Sequence, residues 1–240
     1  MSRLRWSVLL LMVLTAGAKA QNDLFETCKS SNSSEQRIES CTAVLADKSA
    51  GNVEQRARAY FNRGRARYRL LRYRPAAEDF SQAIKLDPKY AAAYDQRGVV
   101  YRKLGQPDKA ILDHSAAIDI DPKYAKAYRN RGNALLFKGE TDKAIADYSA
   151  AIKIAPRYAN AYDNRGQAFE LLGQFTKAIA DYDKLVEIMP KNAEAYNNRG
   201  YAYQQSGDRN QAIADYRRAL SLDPSLVQAR ENLRALGVGP

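Results

Sequence analysis

One histidine, two cysteines and one tryptophan stand in a chain of 240 residues. So few ligating side chains cannot build a multi-ligand His/Cys zinc site, and any Ser–His or Cys–His machinery would have to run through His114. The chain also has no Gly-rich phosphate loop, no metal-ligand spacing and no nucleophile elbow. It therefore reads as a non-enzyme with no cofactor and no metal site. Long apolar runs are scarce too. Val8 to Leu14 is unbroken, but a membrane span needs roughly 20 residues. Acid is in short supply, with 27 Asp and Glu against 38 Lys and Arg, a net charge of +11. What the chain has in excess is tyrosine, 16 residues of it, which points to aromatic packing used repeatedly.

The first twenty residues read as a cleavable secretory signal. Arg3 and Arg5 precede the apolar run, and Ala18-Lys19-Ala20 offers small residues before a cleavage point at Gln21. Removing residues 1–20 takes away Arg3, Arg5 and Lys19 and no acid, so the net charge falls from +11 to +8. The expected location is periplasmic or secreted, where disulfides persist.

A repeat fills the remainder. Gly64, Gly98, Gly132, Gly166 and Gly200 are each 34 residues apart, and so are Pro88, Pro122, Pro156, Pro190 and Pro224. Tyr60, Tyr94, Tyr128, Tyr162 and Tyr196 keep the same period, as do Ala76, Ala110, Ala144, Ala178 and Ala212. Each unit reads as two helices, Ala91 to Leu104 and Lys109 to Ile120 in the second, with Gly105, Gly139, Gly173 and Gly207 closing the first helix. Asp87-Pro88, Asp121-Pro122 and Asp223-Pro224 suggest a capping Asp followed by Pro in the first turn of the next unit.

This 34-residue unit of aromatic, Gly, small residue, aromatic, Ala and closing Pro resembles the tetratricopeptide repeat (TPR). Five full units, 57–90, 91–124, 125–158, 159–192 and 193–226, cover about 70% of the chain. Residues 21–56 form a degenerate N-terminal capping helix pair and an insertion, and 227–240 a C-terminal capping helix and tail. The resemblance implies an all-α fold, an α-solenoid wound as a right-handed superhelix, with the first helix of each unit lining the concave face.

Where the family usually has Leu before the Gly, this chain has Arg63, Arg97, Arg131, Arg165 and Arg199. Sixteen residues after each stands Asp79, Asp113, Asp147, Asp181 or Asp215. Fixed spacing and cancelling charge point to ion pairs between the two helices of each unit; a row of ligand-binding arginines is the alternative. In the same register Cys41 falls on the aromatic row and Cys28 on the row that faces it. A Cys28–Cys41 disulfide would staple the capping unit, and two free buried thiols are the alternative. His114 also occupies the aromatic row, which suggests a packed core histidine.

Function is expected on the groove. Asn62, Gln96, Asn130, Asn164 and Asn198 lie two residues before each repeat Gly, a row that points into the groove in this family, and carboxamides can pair with an extended peptide backbone. Bases on neighbouring rows are Arg58, Arg65, Arg69, Arg102, Lys103, Lys126 and Arg129, with Asp163, Glu170 and Glu194 further along. Arg129, Asn133 and Asn164 resemble part of the clamp with which some TPR domains hold a C-terminal carboxylate, but Glu194 and Asn198 stand where that clamp needs bases. Unit 57–90 carries nine cations and three anions, and unit 125–158 seven and three. The expected ligand is a protein or peptide with an acidic segment, rather than a small molecule or nucleic acid. Two further readings stay open: a structural assembly module that self-associates or scaffolds an envelope complex, with Phe61, Tyr68, Phe137 and Tyr201 exposed on the groove rows, and, behind it, anionic-polymer binding, to a membrane surface or nucleic acid, through the eight arginines between Arg56 and Arg74.

Overall fold

A computed structural model describes residues 24–47 and 51–239. The expected signal segment, residues 1–20, lies outside the described residues. Among those described there are thirteen helices and no strand, and no helix is long and apolar enough to cross a membrane. The chain divides into two compact units at Asp121 and Pro122.

The N-terminal unit holds α1 (24–30), α2 (Ser34–Ala46), α3 (Val53–Arg69), α4 (Tyr73–Leu86), α5 (Ala91–Lys103) and α6 (Pro107–Ile120). The C-terminal unit holds α7 (Ala125–Phe137), α8 (Thr141–Ile154), α9 (Ala159–Leu171), α10 (Phe175–Ile188), α11 (Ala193–Ser206), α12 (Arg209–Leu222) and α13 (Val227–Ala235). In both, helices pair in sequence and each second helix packs on the first helix of the next pair.

Small residues set how close the helices come. Ala76, Ala110, Ala144, Ala178 and Ala212 have no exposed surface. Each repeat Gly lies flat under an aromatic ring of its partner helix: a Cβ on Gly132 would sit 2.6 Å from Tyr148 Cε1, and one on Gly98 would sit 2.8 Å from His114 Cε1. Overpacking of that kind costs about 1–3 kcal/mol, so the period in Gly is a period in ring contacts.

The first helices end as the glycines predict. Gly105, Gly139, Gly173 and Gly207 have φ of 70, 79, 67 and 91°. The next N–H reaches back to close the last turn, as Gln106 to the Tyr101 carbonyl at 2.9 Å. The Asp-Pro pairs play a different part from the expected one. Asp87 closes the preceding helix, its N–H donating to the Ala83 carbonyl, and its Oδ1 accepts from the Lys89 N–H at 3.0 Å. Asp121 closes α6 and Asp223 closes α12 in the same way. The Asp therefore forms a local turn two residues on, and α5, α7 and α9 start without a side-chain cap.

The five expected ion pairs are all formed. Arg97 Nε and Nη2 donate to Asp113 Oδ2 and Oδ1 at 2.8 Å each, and Arg165 grips Asp181 at 2.8 and 2.7 Å. Arg63–Asp79, Arg131–Asp147 and Arg199–Asp215 repeat the fork. The third nitrogen reaches back to the helix of the preceding pair: Arg97 Nη1 donates to Ser81 Oγ at 2.9 Å, Arg165 Nη1 to Ser149 Oγ at 2.8 Å and Arg199 Nη1 to Asp183 Oδ1 at 2.8 Å. Each guanidinium also lies over the repeat tyrosine three residues earlier, 5.4–5.9 Å from the ring centre. Much of the tyrosine excess is therefore a stack of rings under arginines. Hydrogen bonding to Asp113 and Asp181 raises the pKa of Arg97 and Arg165 above the usual guanidinium value, and burial raises that of Asp181 against the pull of Arg165.

At the N-terminus Cys28 and Cys41 are joined by a disulfide and buried with Val44, Leu45 and Ala59. At the other end Ala229 and Leu233 of α13 cover Tyr216 and Ala219. Ser33, part of the Asn32-Ser33-Ser34 tripeptide, caps α2 by accepting from the Gln36 N–H.

Candidate functional site

The first helices present the face on which the groove residues were expected. In the N-terminal unit, α3 carries Arg58, Asn62, Arg65 and Arg69, and α5 carries Gln96, Arg102 and Lys103. Arg58, Arg69 and Lys103 are exposed and the others half-buried. Arg58 pairs with Glu54 at 2.7 Å, and Arg65 lies 5.8 Å over the Phe61 ring. Among the described residues none of Arg65, Arg69, Arg102 and Lys103 holds an ion pair. The positive potential is felt inside the unit: Arg37 is buried, and burial followed by Arg69 and Arg65 lowers its pKa. A cavity of about 650 Å³ opens between α1 and α3, and Arg58, Phe61, Asn62 and Tyr90 are among its lining residues.

In the C-terminal unit, α7 carries Lys126, Arg129, Asn130 and Asn133, α9 carries Asn164 and α11 carries Asn198. Lys126 is exposed, and Arg129, Asn133, Asn164 and Asn198 are half-buried. Asn130 departs from its expected place. It is 5% exposed and its Oδ1 accepts from Arg129 Nη2 at 2.7 Å, so it offers nothing to a ligand. The other amides are knitted to their neighbours. Asn133 Oδ1 accepts from Tyr148 Oη at 2.8 Å and from Asn164, and Asn198 Nδ2 donates to Asp163 Oδ1 at 3.3 Å. In the N-terminal unit Gln96 likewise donates to Asp95 at 3.4 Å. Asn133 Oδ1 is filled by its two donors, whereas Gln96, Asn164 and Asn198 bond through their amide N–H groups and keep lone pairs on oxygen, so these three are held in place while still able to accept.

Two expectations about aromatic and acidic residues change. Phe61 packs on Phe80 and Tyr90, with ring centres 5.7 and 4.9 Å apart, and Tyr68 packs on Tyr73, so both are partly buried. Phe137 and Tyr201 are exposed as expected. His114 does have a carboxylate partner, which its sequence neighbours do not reveal: Asp95 Oδ1 lies 3.0 Å from Nδ1, from the other helix of the pair. Both side chains are fully enclosed, out of reach of a substrate, so the pair belongs to the core.

Comparison with known proteins places this architecture. Sequence models described as tetratricopeptide repeat match residues 57–90, 193–226 and 80–112, and one described as TPR repeat matches 98–139, 132–173 and 171–207. Together they span 57–226. The chain belongs to the tetratricopeptide repeat family. No curated protein matches it significantly. Among solved TPR structures, the chain is similar to MamA protein at 27% identity, with 72% of this chain and 94% of that one covered and a TM-score of 0.62. It also resembles YrrB, at 19% identity, 84% and 100% coverage and a TM-score of 0.63. A tetratricopeptide repeat protein from Parabacteroides merdae matches at 17% identity, 91% and 88% coverage and a TM-score of 0.73. A TPR scaffold of this kind is typically a surface for protein–protein interaction. The partial carboxylate clamp is not laid out for a ligand here, since Arg129 bonds Asn130 and Asn164 bonds Asn133.

Proposed function

We propose that this protein is a non-catalytic scaffold outside the cytoplasm that binds an extended, acidic peptide segment on its first-helix face. The observation that carries this reading is that Arg65, Arg69, Arg102 and Lys103, on the first helices α3 and α5, hold no ion pair among the described residues. An acidic segment would relieve the repulsion from Arg69 and Arg65 that adds to burial in lowering the Arg37 pKa. The disulfide agrees with an oxidising compartment, as does the signal-like N-terminus. YrrB, described as a TPR protein with an unusual peptide-binding site, has the same fold and is consistent with a peptide ligand.

The test is titration of a fluorescent, Glu-rich extended peptide against its Gln-substituted twin. The acidic peptide should bind at least tenfold more tightly at low salt, weaken steeply as salt rises, and lose most of its binding in Arg65→Ala/Arg69→Ala while helical circular dichroism is unchanged. Equal binding of the two peptides defeats the reading. Purification from an oxidising compartment with Gln21 at the N-terminus supports the location, and an intact residue 1–20 segment on a cytoplasmic protein contradicts it.

A second reading has its own observation. Phe137 and Leu171 occupy the same repeat position and are 64% and 70% exposed. Exposed apolar groups at repeated positions suit a module that assembles with copies of itself. Sedimentation should then show a concentration-dependent oligomer that Phe137→Ser/Leu171→Ser abolishes.

A further inference from the structure

The repeat register exposes a misfit in the C-terminal unit. Tyr182 and Tyr216 occupy the same row, both fully buried over Gly166 and Gly200. Tyr216 Oη donates to Gln204 Oε1, twelve residues earlier, at 2.7 Å. Twelve residues before Tyr182 stands Glu170. Here the pairing is looser: Glu170 Oε1 and Tyr182 Oη are both buried and miss the geometry of a full hydrogen bond, although the hydroxyl is near enough to pull the carboxyl pKa down against burial. The two groups nonetheless lie close enough to shift each other's protonation, so the Tyr182 hydroxyl ends at the carboxylate.

The carboxylate opens onto a cavity of about 270 Å³. Its lining is Glu170, Asn197, Asn198, Tyr201, Gln228 and Asn232, one acid, four amides and a ring, with no base. The amides are already oriented: Asn232 Nδ2 donates to Asn197 Oδ1 at 3.2 Å, and Asn198 Nδ2 donates to Asp163 Oδ1. Asp163 is therefore held by an amide donor, whereas Glu170 has only the loosely placed Tyr182 hydroxyl beside it. Each amide oxygen retains a lone pair, and Tyr201 supplies a π face that attracts cations.

We propose that this pocket receives the cationic side chain, lysine or arginine, of a bound polypeptide, with Glu170 as its counter-charge and the Asn197, Asn198 and Asn232 oxygens as further acceptors. The proposal rests on the scaffold reading above, because it takes the ligand to be a polypeptide. Burial, opposed by Tyr182 and helped by Asp163, raises the Glu170 pKa to about 7. The ionisable groups that act on it or on its neighbours are Asp163 on α9; Tyr182 and Asp181 on α10, the latter held by Arg165; Glu194 and Tyr201 on α11; and Tyr216 on α12. Arg165 aside, all of them are acids. Protonation of any of them weakens cation binding, so the pH effect has one sign.

The test uses the whole protein labelled with ¹⁵N, and reads the side-chain amide resonances of Asn198 and Asn232. n-Butylammonium, n-butylguanidinium and Ac-Gly-Lys-Gly-amide should shift them saturably at pH 8, and n-butanol should not. Affinity should fall about tenfold at pH 6, as a carboxyl titrating near 7 takes up its proton. Glu170→Gln should abolish the shifts while the amide spectrum stays folded, since Gln already fills this row at Gln204. Equal shifts from butanol, unchanged shifts in Glu170→Gln, or saturable binding of Ca²⁺ in place of the organic cations would each overturn the proposal. Butylammonium bound without the lysine peptide would show that the pocket does not serve a polypeptide. Acidic-peptide binding that survives while all organic cations are silent would defeat this pocket alone and leave the scaffold reading standing.

Discussion

The N-terminal and C-terminal units share an interior and differ on one face. In both, Gly lies under a ring, Ala lines the helix contact, and Arg forks onto a buried Asp. On the face, the row that holds Tyr68 and Arg102 in the first unit holds Leu136, Glu170 and Gln204 in the second. The row that begins with Arg65 and Val99 continues as Asn133, Gln167 and Tyr201. The N-terminal face thus gathers Arg65, Arg69, Arg102 and Lys103 outside any ion pair among the described residues, and the C-terminal face gathers amides around the Glu170 carboxylate. Interior rows fix how the helices stack, so they repeat; face rows touch nothing that enforces the period, so they are free to differentiate. The consequence is that the same repeat rows carry different charge in the two units.

If the interior is indeed indifferent to the charge of the face, breaking the ladder should cost the same in either unit. Arg97→Leu strands Asp113 and Arg165→Leu strands Asp181, each a buried carboxylate left without its guanidinium. Removing one partner of a buried pair costs about 3–5 kcal/mol, and the partial exposure of these arginines places the expected loss near ~3 kcal/mol. Denaturant unfolding followed by hydrogen exchange should locate each loss in its own unit. Adding Asp113→Leu or Asp181→Leu should recover most of it. A loss in one unit more than about twice that in the other would show that the face charges do reach the ladder.

The units differ at their ends as well. The Cys28–Cys41 bridge closes a 13-residue span in the N-terminal unit, where α1 and α2 are the first helices among the described residues. Closing so short a loop contributes about 3 kcal/mol. Cys28→Ser/Cys41→Ser should lower the protection of α1 to α3 by roughly that amount and leave α9 to α13 untouched. Uniform loss across the chain would contradict the separation into two units.

Most of the interior was legible in the sequence because it repeats. Five copies of Arg and Asp at a constant offset of 16 specify a pair before any coordinate is known, and the glycines announce both ring contacts and helix ends. The face was less legible. Asn130 sits on the expected row yet is buried, because Arg129 turns back onto its oxygen. Asp95 pairs with His114 across two helices, a contact that occurs once and so leaves no period to find. The Asp-Pro pairs were misplaced for a local reason: an Asp that closes one helix and bonds two residues onward looks, in sequence, like one that opens the next. Glu170 was visible as a groove acid, but its loose pairing with Tyr182 became apparent only beside the Tyr216–Gln204 bond.

Glu170 gives the comparison a pH dependence. Its pKa is raised to about 7 in the folded chain by burial, above its ordinary value of 4.5. A carboxyl whose pKa is raised on folding adds stability that is fully present below the unfolded value and is lost as pH rises through the folded value. The C-terminal unit should therefore be more stable at pH 5 than at pH 8. Glu170→Gln removes the burden of the ionised form and keeps an acceptor beside Tyr182, the arrangement that Tyr216 has with Gln204. It should stabilise that unit by about 2 kcal/mol at pH 8 and by little at pH 5. Thermal melts of both proteins at the two pH values decide this; equal gain at both would trace the benefit to packing rather than charge.

The smallest expected effect concerns how the first helices end. In the C-terminal unit Gly139, Gly173 and Gly207 take the left-handed conformation; in the N-terminal unit Gly105 does so, but Leu71 holds the same position with φ of 58°. The closing bond is the same, Arg72 N–H to the Arg67 carbonyl at 2.9 Å, so the turn forms despite the side chain. Leu71 is 70% exposed and gains little burial in return. A left-handed non-glycine residue costs about 1–2 kcal/mol, while glycine loses more backbone entropy on folding, about 0.5–1 kcal/mol. The balance favours Leu71→Gly by roughly 0.5–1 kcal/mol. The gain should appear as greater exchange protection at the end of α3. The mirror substitution Gly139→Leu should cost the C-terminal unit a similar amount, because nothing lies within 4 Å of that position to clash with a Cβ and only the backbone conformation opposes it. A destabilised Leu71→Gly would mean that the leucine makes a contact strong enough to hold the backbone where glycine would place it freely.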